Sequence, residues 1–437
     1  MPTTRLGRDF HLLWSAAVSS RLGDALRTPA LALLAATLTR DPRLIAAITV
    51  AAQLPPLLFG LLGGVYADRW DRRRTMALVD GARAALAAAF AVAIVTGRAG
   101  VVTLLLVAFL LAALGSLFDA ASFALLPSVV PPTALPRANG RLQAGTAVAG
   151  GFLGAPVAGL AFTASPALPF AVDAVTFALA ALLVLALSRG GHPPVPAGLP
   201  TDRDSGSAKR GAGPGGPSVL ADVTAGLRRL RDDRTLWQVT LLSAGCNLAI
   251  SGLLAVLVLH ALEVLRVPTA GYGLFTATAI VGGVVGALTA GRIAARFGTL
   301  PALRVVLAGQ TVALAGFAFA RHPVPAGLAL AFFAAGTSVW NSLWTSYGQQ
   351  RVPAALLGRV GAAQRMLGLL AAPVGATLAG LVAAAYGTVP VTVAAAGTFA
   401  LVTVAAWRML RPAAPTPPVD RPTKAGTAAR PGPPPSR

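Results

Sequence analysis

Long apolar runs and short polar breaks alternate along the chain, with a repeat of about 36 residues. Most runs reach the ~20 residues that an α-helix needs to cross a hydrocarbon layer. The breaks between them are mostly short and carry the turn residues Gly and Pro together with Asp and Arg. The pattern predicts an all-α polytopic membrane protein with twelve transmembrane helices. They lie near residues 10–38, 43–66, 76–97, 101–126, 141–163, 167–187, 236–262, 270–291, 301–320, 325–348, 359–386 and 388–409.

Composition agrees with that pattern. Of the 437 residues 55% are hydrophobic and 12% charged, with a mean hydropathy of +0.70. Soluble domains carry about 25% charged residues. A single cysteine, Cys246, excludes a disulfide framework and a thiolate metal site. His11, His192, His260 and His322 are scattered without ligand spacing, so neither a metal nor another cofactor is expected. The first apolar run is interrupted by Arg21, Asp24 and Arg27 and is followed by no small-residue cleavage site, which argues against a cleaved signal peptide.

A net charge of +21 could indicate a nucleic-acid partner, but its distribution points elsewhere. Arg40, Arg43, Arg98, Arg266 and Arg321 are the basic residues of one set of alternate loops. Arg21, Arg27, Arg83, Arg304 and Arg365 fall within spans. All the others lie on the side of the termini. The positive-inside rule then places both termini in the cytoplasm, and no nucleic-acid binding is expected. The Ala-, Arg-, Gly- and Pro-rich composition suggests a high-GC bacterium, hence a bacterial cytoplasmic (inner) membrane.

The second half repeats the first. Arg8, Asp9 and Trp14 correspond to Arg231, Asp232 and Trp237 at a shift of 223 residues. Gly64 corresponds to Gly286, and Val130, Pro131 and Arg137 to Val352, Pro353 and Arg359, at a shift of 222. This divides the chain into two pseudo-symmetric six-helix bundles, 1–187 and 236–410. They are joined by a cytoplasmic linker, 188–235, and followed by a disordered Pro-rich tail, 411–437. Within the linker, Val219, Val223, Leu227 and Leu230 form one apolar face with arginines around it, as in an interfacial amphipathic helix. Repeats of this kind put a transport site near the midplane, between the halves.

The loop after the second span reads GVYADRWDRRR from Gly64 to Arg74. It resembles the loop 2–3 signature of the major facilitator superfamily, G-x-x-x-D-R-x-G-R-R/K, with Asp71 where the family usually has Gly. Residues 286–298 are similar to the degenerate second copy and supply Arg292 and Arg296. Phe118-Asp119, Leu126-Pro127, Arg137-Ala-Asn139 and the stretch GLRRLRDD from Gly226 resemble the subgroup of enterobactin-type siderophore exporters and macrolide-efflux proteins. The resemblance implies a cytoplasmic gate made of Gly64, Asp68, Arg69, Arg72, Arg73, Asp119, Arg292 and Arg296. Asp119 is expected to pair with Arg72 or Arg73, with a separate protonatable site as the alternative. Gly151, Pro156 and Gly159 are similar to the fifth-helix signature of antiporters, although Ala155 and Leu160 replace two of its glycines. The arginine that proton-coupled drug antiporters usually carry in the fourth span is absent from 101–126.

Arg21, Asp24 and Arg27 recur at i, i+3 and i+6, which puts them on one stripe of the first helix. Charges facing lipid are costly, so this stripe must face the interior. Asp24 is a candidate proton carrier tuned by Arg21 and Arg27; the alternative is a packing network. Gln53, Asn247, Trp340, Asn341, Trp344 and Arg365 are candidate pocket residues for an amphipathic aromatic substrate, neutral or anionic. His260 and Glu263, near the outer end of the seventh span, form a candidate outer gate pair. No nucleotide loop, nucleophile–base pair or metal set is present, so neither an enzyme nor an ATP-driven pump is expected. The expected function is proton-driven export of small amphipathic molecules of drug, macrolide or siderophore type. The expected protein is a monomer, powered by the proton gradient and in contact with membrane lipid. An uptake symporter or a lipid flippase on the same scaffold is the alternative.

Overall fold

The computed structural model describes residues 6–67, 72–131, 134–188, 227–228, 230–351 and 354–410. Those residues are helical apart from short connections. The first six helices are α1 (Arg8–Leu38), α2 (Pro42–Ala67), α3 (Arg72–Val95), α4 (Val101–Val129), α5 and α6 (Leu168–Leu185). Helix α5 has three parts: Leu135–Val148, a π-helical segment Ala149–Gly154, and Ala155–Ala164. The other six are α7 (Arg234–Leu259, ending in a π-turn His260–Val264), α8 (Tyr272–Phe297), α9 (Thr299–Phe319), α10 (Pro323–Arg351), α11 (Ala354–Tyr386) and α12 (Thr388–Met409). Among the described residues nine helices are long and apolar enough to cross a membrane. The first, with three charges at its centre, is not one of them.

The helices overrun the predicted spans, because a helix does not stop where hydrocarbon does. Helix α4 continues to Val129, α5 begins at Leu135 with Pro136 in its first turn, and α10 reaches Arg351. Asp233 starts α7 by accepting hydrogen bonds from the amides of Thr235 and Leu236, both at 3.0 Å. Gly298 and Gly387, at φ 74° and 82°, turn the chain between consecutive helices within a single residue, a backbone region open mainly to glycine. Leu230 is fully buried against Leu236 and Tyr347, so this end of the expected amphipathic segment docks on protein. The rest of that segment, the linker before it and the tail lie largely outside the described residues.

Neighbours pack mainly within each half. Helix α6 lies against α1 and α3, α2 against α4, α8 against α10, and α7 against α11 and α12. Across the halves, α2 meets α11 and the last part of α5 meets α8. These cross-contacts involve the ends of helices farthest from the chain termini. Gly380 of α11 sits on Ala46 and on the Pro42 carbonyl at the start of α2, where a Cβ would collide. Gly159 is pressed in the same way on the carbonyls of Thr269 and Ala270. Small residues allow such close backbone approach where lipid supplies no hydrophobic drive. Arg40 and Glu263 add an ion pair of 3.2 Å across the halves at that end. The outer pair expected between His260 and Glu263 does not form. His260 Nδ1 lies 3.0 Å from the Thr388 hydroxyl instead. Beside Arg40, Asp41 accepts from the Arg43 backbone and guanidinium, which holds its carboxyl below the usual range.

Candidate functional site

Polar groups in the membrane-spanning helices gather in two places. The first is a charge cluster in the N-terminal half. Arg27 Nη2 and Arg83 Nη2 both donate to Oδ1 of Asp24, at 2.5 and 2.6 Å. Arg83 Nη1 also donates to the Ser20 hydroxyl at 2.9 Å and to Asp80 Oδ1 at 3.2 Å. Its guanidinium stacks 3.8 Å from the centre of the Phe177 ring. Arg27 Nε lies 3.0 Å from Asp173 Oδ2. Asp80, Asp173 and Arg83 are essentially inaccessible, with Asp24 one-fifth exposed between them. Three helices therefore meet in polar and ionisable groups: α1 through Ser20, Asp24 and Arg27, α3 through Asp80 and Arg83, and α6 through Asp173.

The predicted stripe of Arg21, Asp24 and Arg27 is thus held together, but its partners differ from those expected. Asp119 receives Arg21 Nη2 at 2.9 and 3.1 Å, so its partner among the described side chains is a first-helix arginine. The reason is depth. Asp119 lies ten residues before the end of α4, ~15 Å along the axis, which brings it level with Arg21. Arg73 donates to the carbonyls of Val184 and Leu185, the last turn of α6, and so holds α3 to α6 within its own half. Arg292 and Arg296 are exposed, Arg296 with its guanidinium 5.5 Å from the Phe297 ring. Asp68 and Arg69 lie outside the described residues, as do the side-chain surroundings of Gly64, Arg72, Gly151 and Arg365.

Asp80, Arg83 and Asp173 were not among the candidates. A signal for them exists: Asp80 and Arg83 stand at i, i+3 inside an apolar run, and Asp173 is the only ionisable residue of α6. Neither arrangement survives in hydrocarbon without a partner.

The antiporter-like segment of α5 touches this cluster. Its π-helical stretch packs on α1, where Gly154 abuts the backbone of Ala25, the residue after Asp24. Two and five residues on, Pro156 and Gly159 follow in the part that meets α8 of the other half. One helix therefore links the charges to the cross-half contact. A π-bulge places an extra residue in the turn and is often found at functional sites.

The second polar place is a cavity of about 440 Å³ in the C-terminal half. Asn247, Trp340, Asn341 and Trp344, all predicted, line it together with Thr240, Ser243, Gln310, Thr337 and Gln364. No charged side chain is among its described lining residues. Trp344 stacks on Tyr347 with ring centres 6.1 Å apart, and Asn247 Nδ2 donates to the Ser243 carbonyl at 3.0 Å. Gln310 Nε2 is held by the Thr337 hydroxyl at 2.9 Å. Gln53 does not join this cavity: it lies on α2, with its Oε1 buried and without a hydrogen-bond partner among the described residues.

Solved transporters share this architecture. The nucleoside transporter NupG superposes with a TM-score of 0.71 at 16% identity, over 93% of this chain and 100% of that one. A bacterial homologue of the human lysosomal transporter Spinster, inward-facing and unoccupied, gives 0.69 at 15% identity over 92% and 96%. A bacterial homologue of the iron transporter ferroportin, also inward-facing, gives 0.69 at 14% over 93% and 100%. At such identities the likeness is one of fold. No curated protein matches the sequence. Residues 13–376 match the Major Facilitator Superfamily over most of the chain, and the protein belongs to that superfamily of membrane transporters.

Proposed function

We propose that this protein is a proton-driven secondary transporter that exports small amphipathic organic molecules by alternating access. The observation that carries the coupling is the buried set of Asp24, Arg27, Asp80, Arg83 and Asp173 on three helices of one half. A network of carboxyls and arginines largely shielded from solvent changes its packing when one proton is added or lost, and so can bias a helix rearrangement. The cavity among α7, α10 and α11 is the proposed substrate site. Its two tryptophans suit a planar or apolar surface, and its amides and hydroxyls suit neutral hydrogen-bonding groups.

The helix ends farthest from the termini hold the halves together, while Arg21 and Asp119 keep about half of their side-chain surface exposed. Charges at that depth are tolerated beside water, not lipid. With both termini cytoplasmic by the distribution of arginines, we read this state as inward-open. Export is favoured by the α5 segment, similar to antiporters, and by the stretches similar to siderophore and macrolide exporters. The deciding experiment is accumulation of a panel of dyes, macrolides and siderophores in an efflux-deficient host, with and without a protonophore. Wild type should lower the accumulation of at least one compound, and both Asp24→Asn and the protonophore should abolish that effect. Raised accumulation would make the protein an importer. Export that survives the protonophore and Asp24→Asn would end the coupling proposal.

A further inference from the structure

Asp173 of α6, we propose, is the carboxyl that holds the coupling proton. The proposal rests on the cluster's being the coupling site and names its titrating member. Charge balance comes first. The buried set contains two guanidinium groups, Arg27 and Arg83, and three carboxyls, Asp24, Asp80 and Asp173. Guanidinium stays protonated in proteins. With every carboxyl ionised the set would carry a net negative charge inside the bundle, a costly arrangement that a single proton removes.

Hydrogen bonding then selects the carboxyl. Asp24 Oδ1 accepts from two arginines at 2.5 and 2.6 Å, and Arg21 stands 3.9 Å from its other oxygen. Asp80 accepts an aligned bond from Arg83 at 3.2 Å on one oxygen, and its other oxygen has none among the described residues. Asp173 is inaccessible and has Arg27 Nε at 3.0 Å, yet neither of its oxygens receives a well-formed hydrogen bond among the described residues. With an ion pair but no aligned hydrogen bond on either oxygen, Asp173 is the least stabilised of the three in its charged form. The described elements packed most closely on α6 present these groups. Helix α1 presents Asp24 and Arg27, α3 presents Asp80 and Arg83, and the last part of α5 contains no ionisable residue.

Asp173 also sits where a proton can be converted into movement. Its carboxyl packs directly on Gly23 of α1, where any side chain would collide with it. In the protonated form α1 and α6 meet through a neutral contact, and Arg27 belongs to Asp24. Loss of the proton makes the existing contact of Arg27 with Asp173 a bridge between two anions and draws α6 toward α1. Through Ala25 and Gly154, that shift reaches the π-helical part of α5.

Infrared spectroscopy of the full protein in lipid at neutral pH tests this without a known substrate, since the probe is the proton itself. Wild type should show the C=O band of a protonated carboxylic acid. Asp173→Glu should move that band, whereas Asp24→Glu and Asp80→Glu should leave it in place. Asp173→Asn should remove the band with Tm unchanged, because the amide matches the neutral acid in shape and charge. An ionised Asp173 would instead make the same substitution strip Arg27 of a counter-charge and lower Tm. Absence of the band in wild type, its displacement by Asp80→Glu, or a lowered Tm in Asp173→Asn would each overturn the assignment. The band and its shifts in a protein that exports nothing would sink the transport reading alone. Coupled export with no acid band would sink this one alone.

Discussion

In the N-terminal half the polar groups of α1, α3 and α6 are carboxyls and arginines locked to one another, whereas those around α7, α10 and α11 are amides, hydroxyls and indoles around empty space. The two places are related by the internal repeat. At the shift of 223 residues that aligns Trp14 with Trp237, Asp24 falls on Asn247, Arg21 on Ala244 and Arg27 on Ile250. Related helices thus carry a carboxylate between two arginines in one half and a lone amide in the other. Energetics explain why these could serve different tasks. Neutral hydrogen-bonding groups exchange water for a ligand with a small net gain, about 0.5–1.5 kcal/mol per bond. Buried ion pairs cannot be opened so cheaply: removing one partner costs about 3–5 kcal/mol. The rigid half suits a two-state proton switch and the neutral half suits repeated binding and release.

The largest expected effect comes from breaking the ionic half. Arg83→Gln leaves Asp24 and Asp80 each short of a cation and removes the stacking on Phe177, so thermal unfolding should show a loss of about 3–5 kcal/mol. By contrast, Arg21→Gln breaks a half-exposed pair with Asp119 and should cost no more than ~1 kcal/mol. Equal losses for both substitutions would show that burial does not rank these arginines.

Next comes conversion of one half toward the other. Asn247→Asp restores the acid of the repeat without its arginines, in a cavity whose described lining holds no cation. An unpaired carboxylate there must take up a proton or perturb the site. Affinity for a neutral exported compound should then fall as pH rises through the new group's titration, a dependence that wild-type binding would lack. Binding by Asn247→Asp that ignores pH would remove Asn247 from the site. Trp344→Ala keeps the charge pattern and removes a stacking surface, with an expected loss of about 1.4–2 kcal/mol, or roughly 10–30-fold in affinity. Proton-driven export of saturating substrate should persist in that variant. If Trp344→Ala uncouples export from the proton gradient instead, the division between halves fails.

How much of this was legible in the sequence depends on the range of the signal. Apolar runs are local, so all twelve helices could be placed, with errors where amphipathic overhangs such as Leu135–Gly140 extend a helix beyond its apolar segment. The stripe of Arg21, Asp24 and Arg27 was legible because helical spacing alone put the three together. Partner choice was not, because it depends on depth along different helices. Asp119 was assigned to Arg72 or Arg73 on an end of α4 set three residues too early, and the longer helix brings it to Arg21. Asp173 carries no local pattern at all. Only the rule that a single acid in an apolar helix needs a cation could have singled it out. The cavity was legible in part: Asn247, Trp340, Asn341 and Trp344 are conspicuous by type, while Thr240, Ser243 and Thr337 are ordinary helix residues until packing aligns them.

The smallest expected effect lies where the halves meet. Arg40 and Glu263 are about two-thirds and half exposed, so their bond of 3.2 Å should be worth only ~0.2–1 kcal/mol. The apolar closure around Gly380 and Ala46 and that around Gly159 and Ala270 should dominate instead, because there backbone meets backbone with no room for a side chain. Glu263→Gln should therefore shift the balance of inward- and outward-open states by less than about fivefold, read as labelling of a cysteine placed at the far end of α2. Gly380→Val should act much more strongly, forcing α11 away from α2 and raising the labelling at that end. A larger effect of Glu263→Gln than of Gly380→Val would make the closure electrostatic. The two halves would then be joined by the same kind of bond that organises α1, α3 and α6, and the contrast between an ionic half and a neutral half would not extend to the interface between them.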